Sequence, residues 1–307
     1  MQLSYKIIIT LCLILLSSYT AAQDSKPAAS LKFDTGFVYF LKNDNLWVLD
    51  LTNAQQRQIT QDKKITTYRV SHSGNQVAYV IDDKQLYLLD LLTNKEIFLI
   101  EKNVLADPCF SPKDDQLIFT ASSATRMEKK IHFLSNTYGA FVYHIWLLDI
   151  QTKKATDLTP ESPYHHTDAD WSPDGKWIAY SAMVDPWWTM FKSIPWEIYL
   201  MNMSDKKDLA SKIGKGSTPK WLDSNRMAIF ENSELVIYDV QAKHTVNGIS
   251  LTKPCGPYFS FGPSLDIIFY IGYCGHEGRT GLVILDQKLQ KENMVVFDAK
   301  DPIYVKK

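Results

Sequence analysis

Trp171-Ser-Pro-Asp-Gly-Lys-Trp-Ile-Ala-Tyr180 is the stretch that decides the fold of this chain. Pro, Asp and Gly favour a tight turn, and the apolar and aromatic residues around them favour strands, so the stretch predicts two strands joined by a short hairpin. The segment Glu197-Ile-Tyr-Leu-Met-Asn202 then predicts a third, half-buried strand, because neighbouring side chains in a strand point to opposite faces. We name these segments the turn phrase and the strand phrase.

Copies of both phrases divide the chain into six units. The turn phrase returns at residues 70–79, 110–119 and 221–230, in a looser form at 259–270 and in a degenerate form at 33–40. The strand phrase returns at residues 46–50, 86–90, 145–149, 235–239 and 282–286, and a polar turn and a fourth short strand follow it. One four-stranded sheet cannot bury both of its faces, whereas six sheets stacked radially can. The sequence therefore predicts an all-β, six-bladed β-propeller of four-stranded antiparallel blades over residues 31–307.

Acidic residues end five of the six strand phrases. They are Asp50, Asp90, Asp149, Asp239 and Asp286. Because they recur at the same place in each unit, we predict a shared structural role in which the carboxylate accepts hydrogen bonds from the turn that follows.

The composition is typical of a globular protein. Of the 307 residues, 45% are hydrophobic and 22% are charged, and the formal net charge is −1. A net charge near zero argues against nucleic acid as a partner, because phosphate binding requires an excess of basic residues. We expect a monomer that does not bind nucleic acid.

Residues 1–22 have the pattern of a secretory signal peptide. Lys6 precedes an apolar run at residues 7–16, and the small residues Thr20 and Ala22 predict cleavage after Ala22. The run is too short to cross a hydrocarbon core of about 30 Å, so we predict no membrane span. Residues 23–30 are then a short linker, and the mature protein is expected to be soluble and either periplasmic or secreted.

Export places the remaining cysteines in an oxidising compartment. Cys255 and Cys274 flank the predicted blade-6 hairpin almost symmetrically, and directly opposed strand residues come within disulfide reach. We predict a disulfide between them, with Cys109 left as a buried free thiol on an inner strand.

The ring must close between the two ends of the chain. Residues 302–305 form a short predicted strand that either pairs with the first blade or leaves residues 30–33 to complete the last one. Either arrangement removes an open sheet edge.

The turn phrase at 171–180, together with the strand phrase at 197–202, resembles the WD40-like repeat of the TolB-type β-propellers. The resemblance covers residues 31–305 and implies the propeller fold. Propellers host many functions, so it does not by itself imply an activity. TolB also carries an N-terminal α/β domain, for which residues 23–30 leave no room.

Antiparallel alternation assigns the connections to faces. With the strands of a blade named a to d from the axis outward, the b–c and d–a connections lie on one face, which we name the loop face. The longest connections are expected there, at residues 121–143 in blade 3, 182–196 in blade 4 and 272–281 in blade 6. Long loops on a rigid scaffold are where function usually sits.

The blade-4 connection is rich in aromatic residues. Trp187, Trp188, Phe191 and Trp196 form either an aromatic platform for a sugar, peptide or partner side chain, or a small core beneath the loop. Arg279, in the glycine-rich blade-6 connection, either binds a carboxylate or belongs to a solvated loop.

Polar residues begin the inner strand of blade 4. Tyr164, His165 and His166 are expected near the channel mouth, and Asp168 is expected on the same face as His166 because strand residues alternate. These residues form either a water-filled polar rim or, with His144 and His276 from neighbouring loops, part of a metal site.

The sequence shows no nucleophile elbow, phosphate-binding loop or dinucleotide motif. It favours an exported, non-enzymatic propeller without a cofactor, which binds an envelope protein, peptide or glycan through the loop face. The alternatives are a metal-assisted lyase or hydrolase, which would use His144, His165, His166, Asp168 and His276, and a scaffold that binds no small ligand.

Overall fold

Within the described residues, strands form where the repeat predicts them. The computed structural model describes residues 36–123, 127–130, 137–140, 142–183, 196–204, 210–252, 254–262, 266–274, 279–288 and 291–306. The strands of the first half are β1 (Phe37–Lys42), β2 (Asn45–Asp50), β3 (Gln55–Gln58), β4 (Ile65–Val70), β5 (Gln76–Ile81), β6 (Gln85–Asp90), β7 (Glu96–Glu101), β8 (Leu105–Phe110), β9 (Gln116–Ser122), β10 (Met127–Lys130), β11 (Thr137–Ala140), β12 (Tyr143–Asp149) and β13 (Ala155–Asp157).

Strands recur in the same order through the second half of the chain. They are β14 (His165–Trp171), β15 (Trp177–Met183), β16 (Trp196–Asn202), β17 (Ser211–Lys215), β18 (Ser217–Trp221), β19 (Arg226–Glu231), β20 (Glu234–Asp239), β21 (His244–Ser250), β22 (Pro254–Phe261), β23 (Ile267–Cys274), β24 (Arg279–Asp286), β25 (Lys291–Phe297) and β26 (Lys300–Val305). Among the residues that the structure describes, there is no helix that could span a membrane.

Six four-stranded antiparallel sheets confirm the predicted propeller. From the inside outward, the blades are β26-β1-β2-β3, β4 to β7, β8-β9-β12-β13, β14 to β17, β18 to β21 and β22 to β25. The blade-3 connection between β9 and β12 contains a separate hairpin of β10 and β11.

The C-terminal strand closes the ring. In β26, Ile303 lies opposite Tyr39 of β1, and Tyr304 lies opposite Val38. This confirms the first of the two predicted closures. The innermost strand of blade 1 therefore comes from the end of the chain, which ties the two ends of the sequence together and leaves no open edge at this junction.

The core lies between the blades. Leu88 of blade 2 packs in one cluster with Phe119 of blade 3, and Phe40 of blade 1 packs in another with Phe269 of blade 6. Burying each of these side chains contributes roughly 1.5–3 kcal/mol relative to exposing it. The blades are thus stabilised by their neighbours, as the alternating pattern of the repeat requires.

Hydrogen bonds within the repeat explain its recurring residues. The carboxylate of Asp90 accepts hydrogen bonds from the backbone N–H groups of Leu92 and Thr93 at 2.9 and 2.8 Å. Equivalent bonds from the following turn reach Asp50, Asp149 and Asp239. The predicted structural role of these acids is confirmed at these four positions.

Two expectations for blade 6 are wrong. Strands β23 and β24 pair as far as Cys274 and Arg279, so their connection is residues 275–278 rather than the ten residues predicted. The pairing that would place Cys255 directly opposite Cys274 is also absent, because a register shift puts Pro254 opposite Gly272 while Phe259 lies opposite Tyr270. The side chains of the two cysteines lie outside the described residues, so their disulfide stays a prediction.

Candidate functional site

All six innermost strands contribute to a cavity of about 220 Å³ in the central channel. Asp83, in the turn between β5 and β6, also lines it, so the cavity lies toward the loop face. Its charged lining residues are Arg69, Asp83, Asp107, Asp168, Lys220, Lys300 and Asp301.

Irregular pairing of the innermost strands sets the direction of several lining residues. The registers of β8, β14 and β26 with their neighbours shift around Asp107, Asp168 and Asp301. All three aspartates have left-handed backbone angles, with φ of 51°, 54° and 50°. Asp tolerates this conformation better than most residues, and a bulge redirects a side chain that regular alternation would place elsewhere. Thr218 of β18 occupies a similar position, with φ of 51°.

Burial keeps two of these carboxyl groups from ionising readily. It raises the pKa of Asp107 to about 7, helped by the negative charge of Asp168. It also raises the pKa of Asp301 to about 6, although Lys220 and Arg69 oppose the shift. An ionised carboxylate loses hydration in this cavity and gains repulsion from the other acids, so protonation is favoured.

An ion pair borders the acidic cavity. Arg69 of β4 pairs with Asp170 of β14, which also accepts a hydrogen bond from the Trp221 N–H at 2.8 Å. Burial lowers the pKa of Arg69, but Asp170 and other acidic neighbours raise it more, so the net shift is upward and the guanidinium stays charged. The Cys109 thiol contacts both partners of the pair, and burial raises its pKa. Cys109 is a buried free thiol, as predicted.

The buried histidines His144 and His166 pack between blades 3 and 4 rather than lining the channel cavity. His144 is fully buried, with Nδ1 2.7 Å from an Asp157 carboxylate oxygen and Nε2 3.0 Å from the Ser162 carbonyl oxygen. His166 Nε2 lies 2.6 Å from the Ser162 hydroxyl, and its ring packs edge-on against Tyr180. Burial and the neighbouring histidines lower the pKa of His166 to about 3, so it is neutral at physiological pH.

The prediction that His166 and Asp168 share a face is wrong. The bulge between Thr167 and Asp170 interrupts the alternation of β14. His166 therefore packs near His144, with ring centroids 6.3 Å apart, whereas Asp168 lines the channel. His165 accepts a hydrogen bond from the Tyr143 N–H at 3.1 Å, and burial lowers its pKa.

The structure describes only part of the predicted aromatic site. Trp196 is half-buried at the start of β16, opposite Met183, and Tyr164 is half-buried just before β14. Trp187, Trp188, Phe191 and His276 lie outside the described residues, as does the side chain of Arg279.

The chain was compared with family models, curated proteins and solved structures, and only the solved structures match it. Among solved structures, TolB from Acinetobacter baumannii matches with a TM-score of 0.68 and 19% identity over 90% of this chain and 68% of that one. A putative TolB from Agrobacterium tumefaciens matches with a TM-score of 0.60 and 13% identity over 87% and 91% of the two chains. The fold is that of a TolB-type β-propeller.

TolB-type architecture is shared with proteins of other kinds. A nidogen/laminin complex matches with a TM-score of 0.62 and 8% identity over 88% of this chain and 98% of that one. An oligogalacturonate lyase in complex with manganese matches with a TM-score of 0.53 and 13% identity over 82% and 70% of the two chains. At such identities the likeness concerns the fold alone.

The described residues do not by themselves form the metal site of the alternative hypothesis. No group of three or more His, Cys, Asp or Glu in the described ranges is arranged to hold a metal ion. Both ring nitrogens of His144 already face protein acceptors, and Asp168 points into the channel away from His166. His276 lies outside the described residues.

Sequence reasoning missed Asp107, Asp301 and Lys220. A signal for the first was present, because Asp107, Asp168 and Thr218 each stand three residues before the aromatic residue that opens a turn phrase. Asp301 carries no such signal, since β26 comes from the end of the chain and joins blade 1 only in the closed ring.

Proposed function

We propose that the protein is an exported, non-enzymatic propeller that binds an envelope protein, peptide or glycan through its loop face. The observation that carries the proposal is the coincidence of the polar channel cavity with the b–c and d–a connections on one face. A rigid scaffold with a cavity on the face that carries its connections is suited to recognition. The signal-peptide pattern of residues 1–22 supports export and a periplasmic or secreted location.

The structural neighbours support binding of a protein partner. Two of them are TolB proteins, and a third comes from a complex of nidogen with laminin, so a propeller of this shape occurs in a protein–protein assembly. The lyase alternative has a neighbour as well, but the described histidines of this chain are engaged within the protein. We therefore favour a binding function over a catalytic one.

The test is affinity capture from an envelope extract with two variants. In the first, a short Gly-Ser linker replaces residues 185–195, and we expect captured partner to fall by about tenfold, which corresponds to about 1.4 kcal/mol of binding free energy. In the control, Lys113→Glu changes an exposed residue of an a–b turn on the opposite face and should leave capture unchanged.

Equal capture by the linker variant and the native protein would remove the blade-4 connection from the proposal. Trp187→Ala combined with Trp188→Ala then separates binding from the scaffold alternative. A scaffold would lose only stability in this double variant, whereas a binding platform would lose its partner while remaining folded.

A further inference from the structure

The channel cavity holds more negative charge than its own cations neutralise. Asp107, Asp168 and Asp301 project into it from blades 3, 4 and 1. Arg69, which also lines the cavity, is already paired with Asp170. Within the described part of the chain, no Lys or Arg lies within ion-pair distance of any of the three carboxylates. Lys220 acts on Asp107 and Asp301 at longer range, and Lys300 is the other lining lysine. With Asp83 included, two cations remain for four acids.

A second observation indicates a polar ligand. Thr218 lines the same cavity and is only 7% exposed, yet its hydroxyl has no hydrogen-bond partner among the described residues. Its backbone N–H is satisfied by the Ser181 hydroxyl, so the unpartnered group is the side chain alone. A buried polar group without a partner is costly, and it is usually explained by a missing water, ion or ligand.

The size and walls of the cavity restrict the ligand class. A volume of about 220 Å³ holds several water molecules at about 30 Å³ each but is smaller than the usual pocket for a drug-sized molecule. Its walls also include Pro108, Pro257 and Phe259, which can pack against an alkyl chain. The metal alternative lacks a suitable donor arrangement in the described residues.

We propose that the channel binds a primary alkylammonium group, with Asp107, Asp168 and Asp301 accepting its N–H hydrogen bonds. The ammonium brings three donors and one positive charge to a site that has acceptors and excess negative charge. The apolar walls take the alkyl stem. This inference rests on the proposed function, because the ligand is taken to enter from the loop face. The ammonium group comes either from a free amine or from a lysine side chain of the partner.

Binding is expected to depend on pH. Because the carboxyl groups of Asp107 and Asp301 are partly protonated near neutral pH, a bound cation should expel protons from them, and affinity should rise with pH. The charged and titratable groups that face the site from the surrounding elements are Tyr68 and Arg69 of β4, Asp83 of the β5–β6 turn, Asp107 and Cys109 of β8, Asp168 of β14, Lys220 of β18, Tyr258 of β22, and Lys300 and Asp301 of β26.

Calorimetric titration of the full chain with putrescine tests the proposal, with 1,4-butanediol as the neutral control. At about pH 6.5 we expect putrescine to bind with release of protons, seen as heat that depends on the buffer. The affinity should be greatest at about pH 8 and about tenfold weaker at about pH 5. Equal binding of the diol, or no binding of putrescine at the higher pH, would overturn the proposal.

Variants locate the site. Asp168→Asn should weaken putrescine binding about tenfold, whereas Asp62→Asn, at an exposed turn, should not change it. Lys220→Met removes a competing cation and should bind at least as tightly as the native protein at about pH 8. Native affinity in the folded Asp168 variant, or loss of affinity in the Lys220 variant, would contradict the assignment.

A peptide arm identifies the source of the ammonium group. An acetylated, amidated tripeptide Gly-Lys-Gly that binds more tightly than putrescine assigns the site to a partner lysine, and the reverse assigns it to a free amine. If neither amine binds while partner capture still depends on residues 185–195, the channel inference fails and the proposed function stands.

Discussion

Single residues in this protein are governed by what surrounds them in the ring. Asp90 ends a strand phrase, and Asp107 stands three residues before a turn phrase. Their environments shift the pKa of the two carboxyl groups in opposite directions. Burial raises the pKa of Asp107, whereas hydrogen bonds from Thr93 and Leu92 lower the pKa of the partly exposed Asp90. The first carboxyl group destabilises the fold when ionised, and the second stabilises it when ionised.

Asp107→Asn should therefore stabilise the protein at high pH. The folded-state pKa of about 7 lies above the unfolded value of 3.8, so the stability linked to Asp107 is fully present below about pH 4 and is lost as pH rises through 7. At about pH 8 the variant should gain on the order of 4 kcal/mol in unfolding free energy, since the pKa is shifted by about three units and one unit is about 1.4 kcal/mol. Urea unfolding at about pH 5 and pH 8 measures the difference.

Asp62→Asn is the matched control for this prediction, because it removes the same charge at an exposed turn without touching the cavity. If Asp107→Asn changes stability by the same amount at both pH values, the carboxyl group is not protonated in the folded protein and the prediction is wrong.

At the scale of the secondary-structure elements, the a–b hairpin has the same hydrogen-bonding pattern in several blades. In the a–b hairpins of blades 2, 3 and 4, the serine hydroxyls of Ser71, Ser111 and Ser172 accept hydrogen bonds from the first residue of the next strand at 2.9–3.1 Å. In each hairpin, a residue with a left-handed backbone lies between the serine and the next strand. It is Gly175 in blade 4, with φ of 75°, and Asp114 in blade 3, with φ of 57°.

Gly175→Ala should cost about 1 kcal/mol, because an L-residue with a side chain disfavours this backbone conformation. A new Cβ there would meet only Pro112, at 3.8 Å, so the cost is conformational rather than steric. We expect the midpoint of thermal unfolding to fall by about 2 °C.

Gly214→Ala in β17 provides the comparison. Its backbone is not left-handed and a new Cβ would meet no atom within 4 Å, so stability should stay within about 0.5 kcal/mol of the native protein. A greater loss in this variant than in Gly175→Ala would show that the turn geometry does not control stability here.

At the scale of the whole molecule, stability depends on closure. The innermost strand β26 supplies Ile303 and Val305 to the core between blades 1 and 2, and Tyr304 stacks on Phe269 of blade 6 with ring centroids 5.8 Å apart. The Tyr68 hydroxyl also donates a hydrogen bond to the Asp301 carbonyl oxygen at 2.6 Å. A single strand thus connects blades 1, 2 and 6.

Removing residues 300–307 should destabilise the whole ring. The loss of three packed apolar side chains costs on the order of 5 kcal/mol, which is a large share of the stability of a typical domain. The exposed edge of β1 should also promote association. Thermal unfolding and size-exclusion chromatography measure both effects.

Removing only residues 306–307, which follow β26, should leave both measurements unchanged. A chain without residues 300–307 that unfolds at the native temperature and stays monomeric would show that closure is dispensable.

Local chemistry in the sequence was enough to determine the blades. The alternation of apolar and polar residues, the Ser-Pro-Asp-Gly turn at 172–175 and the acids that end the strand phrases act over a few residues, so strands, hairpins and their sixfold repetition could be predicted. The face that carries the long connections follows from the same alternation.

Only the closed ring decided the site. Asp107, Asp168 and Asp301 are far apart in the sequence and meet because three innermost strands converge on one axis, each with a bulge that redirects a side chain. A bulge shifts the register by a residue. The alternation rule therefore predicted wrongly that Asp168 shares a face with His166. Short-range patterns determine which residues form strands, whereas long-range packing determines which side chains meet.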